Sequence, residues 1–154
     1  MHAKLGLDAD VPGGDPSSGD DVIGDLLALM AEQRVDYTMC LRALSSVVRG
    51  DAAPARSLFG EPESFDTWAS RWLALVGDDR DTVATQMDRA NPIYIPRNHI
   101  VEEVLTAASW GDHHALDQLL SVVTRPFDER PGLDRYAQPA LTAEADGYRT
   151  FCGT

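Results

Sequence analysis

The chain has 154 residues, 44% of them hydrophobic and 25% charged, with a formal net charge of −12. That is globular composition, and the length is enough for one domain with a real core. So acidic a surface repels phosphate backbones and anionic lipid, which sets nucleic acid and membranes aside as partners. No apolar run approaches the roughly 20 residues that a bilayer span needs. The opening "MHAKLGLDAD" turns acidic before any signal-peptide core forms. Cys40 and Cys152 lie far apart, which fits a reducing cytoplasm better than a disulfide scaffold.

In chain order, residues 1–9 open the helical region and residues 10–20 read as an acidic Gly/Pro/Ser linker. Asp10 to Asp21 holds four aspartates and no lysine, so its glycines do not read as a phosphate cradle. Residues 21–126 form the helical region. Its first helix, "DDVIGDLLALMAEQRV", has Asp20 or Asp21 as cap and buries Ile23, Leu26, Leu27 and Met30. The second is capped by Asp36, closed by Gly50 and carries Leu41, Leu44 and Val48. The short joint between these two predicts an antiparallel hairpin.

The third helix, "SFDTWASRWLALVG", puts Phe65, Trp68, Trp72 and Leu75 on one face, where an aromatic stripe is core more often than a ligand pocket. Asp81 is the expected cap of a fourth helix bearing Val83 and Met87, which Pro92 stops. "NPIYIP", Asn91 to Pro96, is then a stiff non-helical entry. It leads to a helix with Val101, Val104, Leu105 and Ala108 on one face, for which Arg97 and Asn98 tie the turn and supply the cap. Past Gly111, Asp112 caps a helix with a stripe of Leu116, Leu119, Leu120 and Val123, and the pair reads as a tight hairpin. Residues 127–154 read as an irregular tail that carries Cys152.

Chemistry-bearing residues are few. His113, His114 and Asp117 share barely more than a turn, and His99 with Glu102 and Glu103 offers a similar set one helix earlier. A metal site needs three or four converging ligands, for which His99, Glu102, His113 and Asp117 are the candidates. The plainer reading is a solvated first turn, because the Glu-x-x-His order of carboxylate-bridged bundles is reversed and unrepeated. Cys152 is the one redox candidate, though by its spacing it reads more readily as an inert tail residue, whereas Cys40 falls among apolar residues as a small buried hydrophobe. Arg97 is a donor-only fork suited to carboxylates or carbonyls, with phosphate contact as the sharper alternative. No nucleophile elbow, triad or kinase signature stands in the chain, so no catalytic, cofactor-binding or metal residue is assigned within it.

A resemblance emerges from "NPIYIPRNHIVEEVLTAASWGDHHALDQLLSVVTRPFDERP". Asn91, Pro92, Tyr94, Arg97 and Asn98, then Gly111 and Asp112, then Arg125 to Glu129 and Pro131 form an ordered set that resembles the C-terminal region of the selenoprotein O (SelO, YdiU) family. "MHAKLGL", "LLALMAEQRVDYTMCLRALS" and the Cys-containing "YRTFCGT" are similar to further family segments, although the flanks of Cys152 differ. The resemblance implies a kinase-like (pseudokinase) fold, with ATP and Mg2+ or Mn2+ bound by lobes that precede this chain. It also implies transfer of AMP from ATP to Ser, Thr or Tyr hydroxyls of proteins. For Cys152 it implies a redox role with a partner outside the chain.

The expectation is therefore an all-α C-terminal portion of a protein adenylyltransferase, not catalytic alone. Its partners are the missing N-terminal kinase-like lobes and the protein substrates. The rival is a free-standing acidic helical interaction module.

Overall fold

Capping and stop residues decide where these helices run. The computed structural model describes residues 1–7 and 16–140, with the backbone alone for 16–18. A 3-10 turn, His2–Lys4, opens the described chain. It is followed by α1 (Pro16–Glu32), α2 (Tyr37–Val48), α3 (Ala53–Arg56), α4 (Pro62–Leu73), α5 (Arg80–Ala90), α6 (Asn98–Ser109), α7 (His114–Val123) and α8 (Asp134–Ala137). No strand occurs among the described residues, in agreement with the all-α expectation.

The cap of α2 is as expected: Asp36 accepts from the Met39 N–H at 2.8 Å. Other boundaries differ. α1 starts at Pro16, inside the segment expected to be linker, because proline is tolerated in a first turn that needs no N–H. Asp79 rather than Asp81 caps α5, accepting from Thr82 N–H at 3.2 Å. Asp81 lies instead in the first turn, where the helix dipole favours a carboxylate. Arg97 occupies the N-cap of α6 with no side-chain cap bond, and Asn98 is already helical. Asp112 does serve α7, accepting from His114 N–H at 3.0 Å, although His113 holds the cap position. The short helices α3 and α8 have no apolar period and were not expected.

Contacts divide the chain into two units, Met1–Ile93 and Tyr94–Thr154. In the first, α1 packs on α4, and α2 packs on α5 and α3. α1 therefore packs chiefly on α4 rather than, as the expected hairpin has it, on α2. The aromatic face of α4 is the reason. Phe59, Phe65, Trp68 and Trp72 line up with centroids 4.8, 5.8 and 5.1 Å apart in sequence, the Phe59–Phe65 and Trp68–Trp72 pairs stacked and Phe65 tilted against Trp68. Both indole N–H groups find buried carbonyls: Trp68 donates to Val22 O and Trp72 to Leu5 O, each at 2.9 Å. The Trp stripe is thus core, and it fastens both α1 and the opening segment to α4. Leu26, Leu41, Leu44 and Met87 complete the interior.

Gly6 lets the opening segment lie flat on α5. Its φ is +63°, and a Cβ there would run into Val83 Cγ1 and stand 2.9 Å from Met87 Sδ.

In the second unit α6 and α7 pack as the expected hairpin. Ile100 and Val104 from α6, Leu119 and Val122 from α7, and the rings of Tyr94 and Tyr136 are buried. Tyr136 belongs to α8, and Arg135 beside it pairs with Glu103 of α6, so this part of the expected irregular tail is docked.

Candidate functional site

The polar side chains that converge in the first unit gather at the C-terminus of α5. A helix leaves its last carbonyls without intrahelical partners, and Pro92 forbids continuation. Cations meet those carbonyls. Lys4 Nζ donates to Ala90 O at 2.8 Å and reaches Asn91 Oδ1 at 3.4 Å. Arg42 of α2 donates to Asp88 O at 2.8 Å and Asn91 O at 3.3 Å. Positive charge at a helix C-terminus also complements the helix dipole. Asn91, 1% exposed, returns the contact by donating from Nδ2 to Lys4 O at 2.8 Å.

Asp88 closes the cluster. Ser45 Oγ donates to its Oδ1 at 2.6 Å and Arg49 to its Oδ2 at 2.7 Å. Arg42, Ser45 and Arg49 reach it together because their i, i+3, i+7 spacing puts them on one face of α2. Partial burial works to raise the Asp88 pKa. The hydrogen bonds from Ser45 and Arg49 and the charges of Arg42 and Arg49 outweigh it and hold the carboxyl below its ordinary 3.8.

A second polar tie lies within the second unit, where the "NPIYIP" entry meets the "RPFDERP" exit of the hairpin. Tyr94 N–H donates to Pro126 O at 3.2 Å, and its hydroxyl accepts from Arg130 N–H at 3.2 Å. The Arg130 guanidinium stands 5.6 Å from the Tyr94 ring centroid and donates to Ser121 O and Val122 O, each at 3.2 Å. One arginine thus caps α7 and covers the tyrosine of the entry. "NPIYIP" is consequently a joint. Asn91 finishes one unit, and Tyr94 anchors the next.

The candidate metal ligands are not assembled. His113, His114, Asp117 and Glu102 are exposed, His99 is half-buried, and Glu103 is paired with Arg135. Among the described residues no three His, Cys, Asp or Glu side chains converge as a ligand set. Arg97 is buried, at 8% exposure, rather than presented to solvent for a phosphate. Cys40 is buried as expected, and burial, with Asp36 adding to it, pushes its thiol up to about 12. Cys152 lies outside the described residues. The functional partners that the sequence concealed are Lys4, Asp88 and Arg130. For the α2 triad the i, i+3, i+7 spacing was a readable signal, but its target was not.

The fold and joint belong to a chain that matches the family described as protein adenylyltransferase SelO over residues 1–124. The chain belongs to this family. It is 51% identical to the protein nucleotidyltransferase YdiU of Mycolicibacterium paratuberculosis, with all of the chain and 30% of the relative aligned. It is 50% identical to the YdiU of Mycobacterium sp. strain KMS and 43% to that of Pseudarthrobacter chlorophenolicus, again over 100% of the chain and 30% of each relative. The chain thus spans about a third of the length of the curated relatives it matches, and it aligns with their C-terminal part.

Proposed function

We propose that this chain is the C-terminal helical portion of a SelO-type protein adenylyltransferase with a kinase-like fold. The whole enzyme moves AMP from ATP to a Ser, Thr or Tyr hydroxyl. The hydroxyl oxygen bonds to the α-phosphorus, the bond from that phosphorus to the departing pyrophosphate breaks, and the hydroxyl proton is given up. ATP and Mg2+ or Mn2+ are held by the N-terminal kinase-like lobes, outside this chain. The observation that carries the reading is the family match over residues 1–124 together with the coverage of only 30% of the relatives.

In this reading the helical portion is a supporting body in the cytoplasm, and Cys152 is its redox candidate, with a thiol partner in the lobes. Among the described residues no helix is long and apolar enough to cross a membrane. The side chains at the α5 joint are engaged with backbone and with each other, which suits a supporting part. Such transfer depends on positioning ATP and neutralising its charge, so a chain without those lobes is inactive. The test is calorimetry with Mg-ATP and labelling of protein substrates with radioactive AMP, on the 154-residue chain. No heat of binding and no labelling are expected, and robust labelling overturns the reading. The longer polypeptide, run in parallel, is expected to label.

A further inference from the structure

The α6–α7 hairpin buries only one edge of each apolar stripe. On α6, Val104 is 3% exposed and Leu105, the next residue, is 57% exposed. On α7, Leu119 is 6% exposed and Leu120 is 50% exposed. Each residue advances roughly 100° around a helix. In an antiparallel pair, positions turned in the same sense from the buried faces emerge on the same side of the hairpin. Leu105 and Leu120 are such positions. Val101 and Ala108 flank the first at helical spacing, and Leu116 and Val123 flank the second; all four are half-buried. Glu103 and Gln118 turn the opposite way, and α8 takes that side through the Arg135–Glu103 pair. The free side of the hairpin is therefore an apolar face on six successive stripe positions, of a kind that soluble chains keep covered.

We propose that this face is the seat of the N-terminal body carried by the longer relatives. The inference rests on reading the chain as the C-terminal portion of a longer protein. At 30% coverage, most of each relative's length lies outside the aligned part, ample to cover such a face. A second copy is the poorer occupant, because it brings together two chains of net charge −12.

The test begins by following the reading frame upstream of Met1. A stop codon immediately before it overturns the longer-protein reading and this inference with it. With an open frame, Leu105→Cys and Leu120→Cys are made singly in a Cys152→Ser background, with Gln118→Cys as the control on the other side. All are exposed positions, and circular dichroism checks folding. The buried Cys40 thiol contributes no fast labelling.

Maleimide labelling is timed in the 154-residue chain and in the longer polypeptide. The expected result is labelling of positions 105 and 120 slowed at least about tenfold in the longer polypeptide, with position 118 unchanged, as for a face reached only in rare openings. Equal rates in both proteins overturn the proposal while leaving the AMP-transfer reading intact. Equal slowing at position 118 overturns it too, since protection would not then be confined to this face. Slow labelling in the short chain alone, with a dimer in sedimentation, assigns the face to a second copy and overturns the proposal.

Discussion

Asn91 shows how one side chain can hold a junction. Its amide donates to Lys4 O, and its carbonyl oxygens face Lys4 Nζ and Arg42. Replacing it with alanine leaves the Lys4 carbonyl without its donor in a buried place. The expected cost is about 1–3 kcal/mol, read as a lower urea midpoint with an unchanged slope. Asp88 adds a pH dependence whose sign is determined. Its folded pKa is depressed, so its contribution is fully present above the unfolded value near 3.8 and is lost as pH falls through the lower folded value. Asp88→Asn is therefore expected to lower stability at pH 7 and to approach the parent protein below pH ~4, where the parent's carboxyl is being protonated too. Parallel urea melts from pH 7 to pH 3 measure the convergence; a gap that stays constant across that range contradicts the assignment. None of these partners was legible from local sequence, because Lys4 and Asn91 stand 87 positions apart. Asn91 could be recognised as a helix stop and as part of the family motif, not as the partner of Lys4.

At the scale of elements, the opening segment behaves as part of the α5 packing. Gly6 is needed twice over, for its positive φ and for the space that Val83 and Met87 already fill. Gly6→Ala is expected to destabilise the first unit by roughly 2 kcal/mol, combining left-handed backbone strain with overpacking. A thermal melt followed by tryptophan fluorescence reports it, since Trp68 and Trp72 lie in the same core. The helix stripes were readable from apolar spacing, and so was the α6–α7 hairpin. The partner of α1 was not. A short joint favours an antiparallel neighbour, but the aromatic face of α4 takes α1 instead, with Trp68 donating to Val22 O. The caps of α5 and α6 were displaced by a residue or two for a related reason: several acidic or polar residues near a helix start compete, and backbone geometry chooses among them.

For the molecule as a whole, the two units differ in how much they bury. The first has a continuous core from Leu5 to Met87, and in the second the interior is a handful of residues around Val104 and Val122. Amide exchange should follow that difference. In the 154-residue chain, α2 and α4 are expected to exchange at least about tenfold more slowly than α6 and α7, measured by mass spectrometry of peptic peptides. Equal protection would mean that the second unit draws stability from something other than its own core. In the longer polypeptide the proposed docking predicts that α6 and α7 gain protection while α2 and α4 change little.

By itself the sequence determined the all-helical class, the position of most helices, the stop at Asn91–Pro92 and the membership in the SelO family. Those signals are local periodicities and ordered motifs that need no partner to be read. The sequence already favoured reading "NPIYIP" as a joint; only the tertiary structure decided its partners, with Asn91 bound to Lys4 and Tyr94 to Arg130. It also decided that the four metal candidates do not converge and that Leu105 and Leu120 of the hairpin stripes stay exposed. The physical reason is range. Helix formation is governed by contacts within a few residues, whereas a buried hydrogen bond or a packed face depends on which distant segment arrives opposite it.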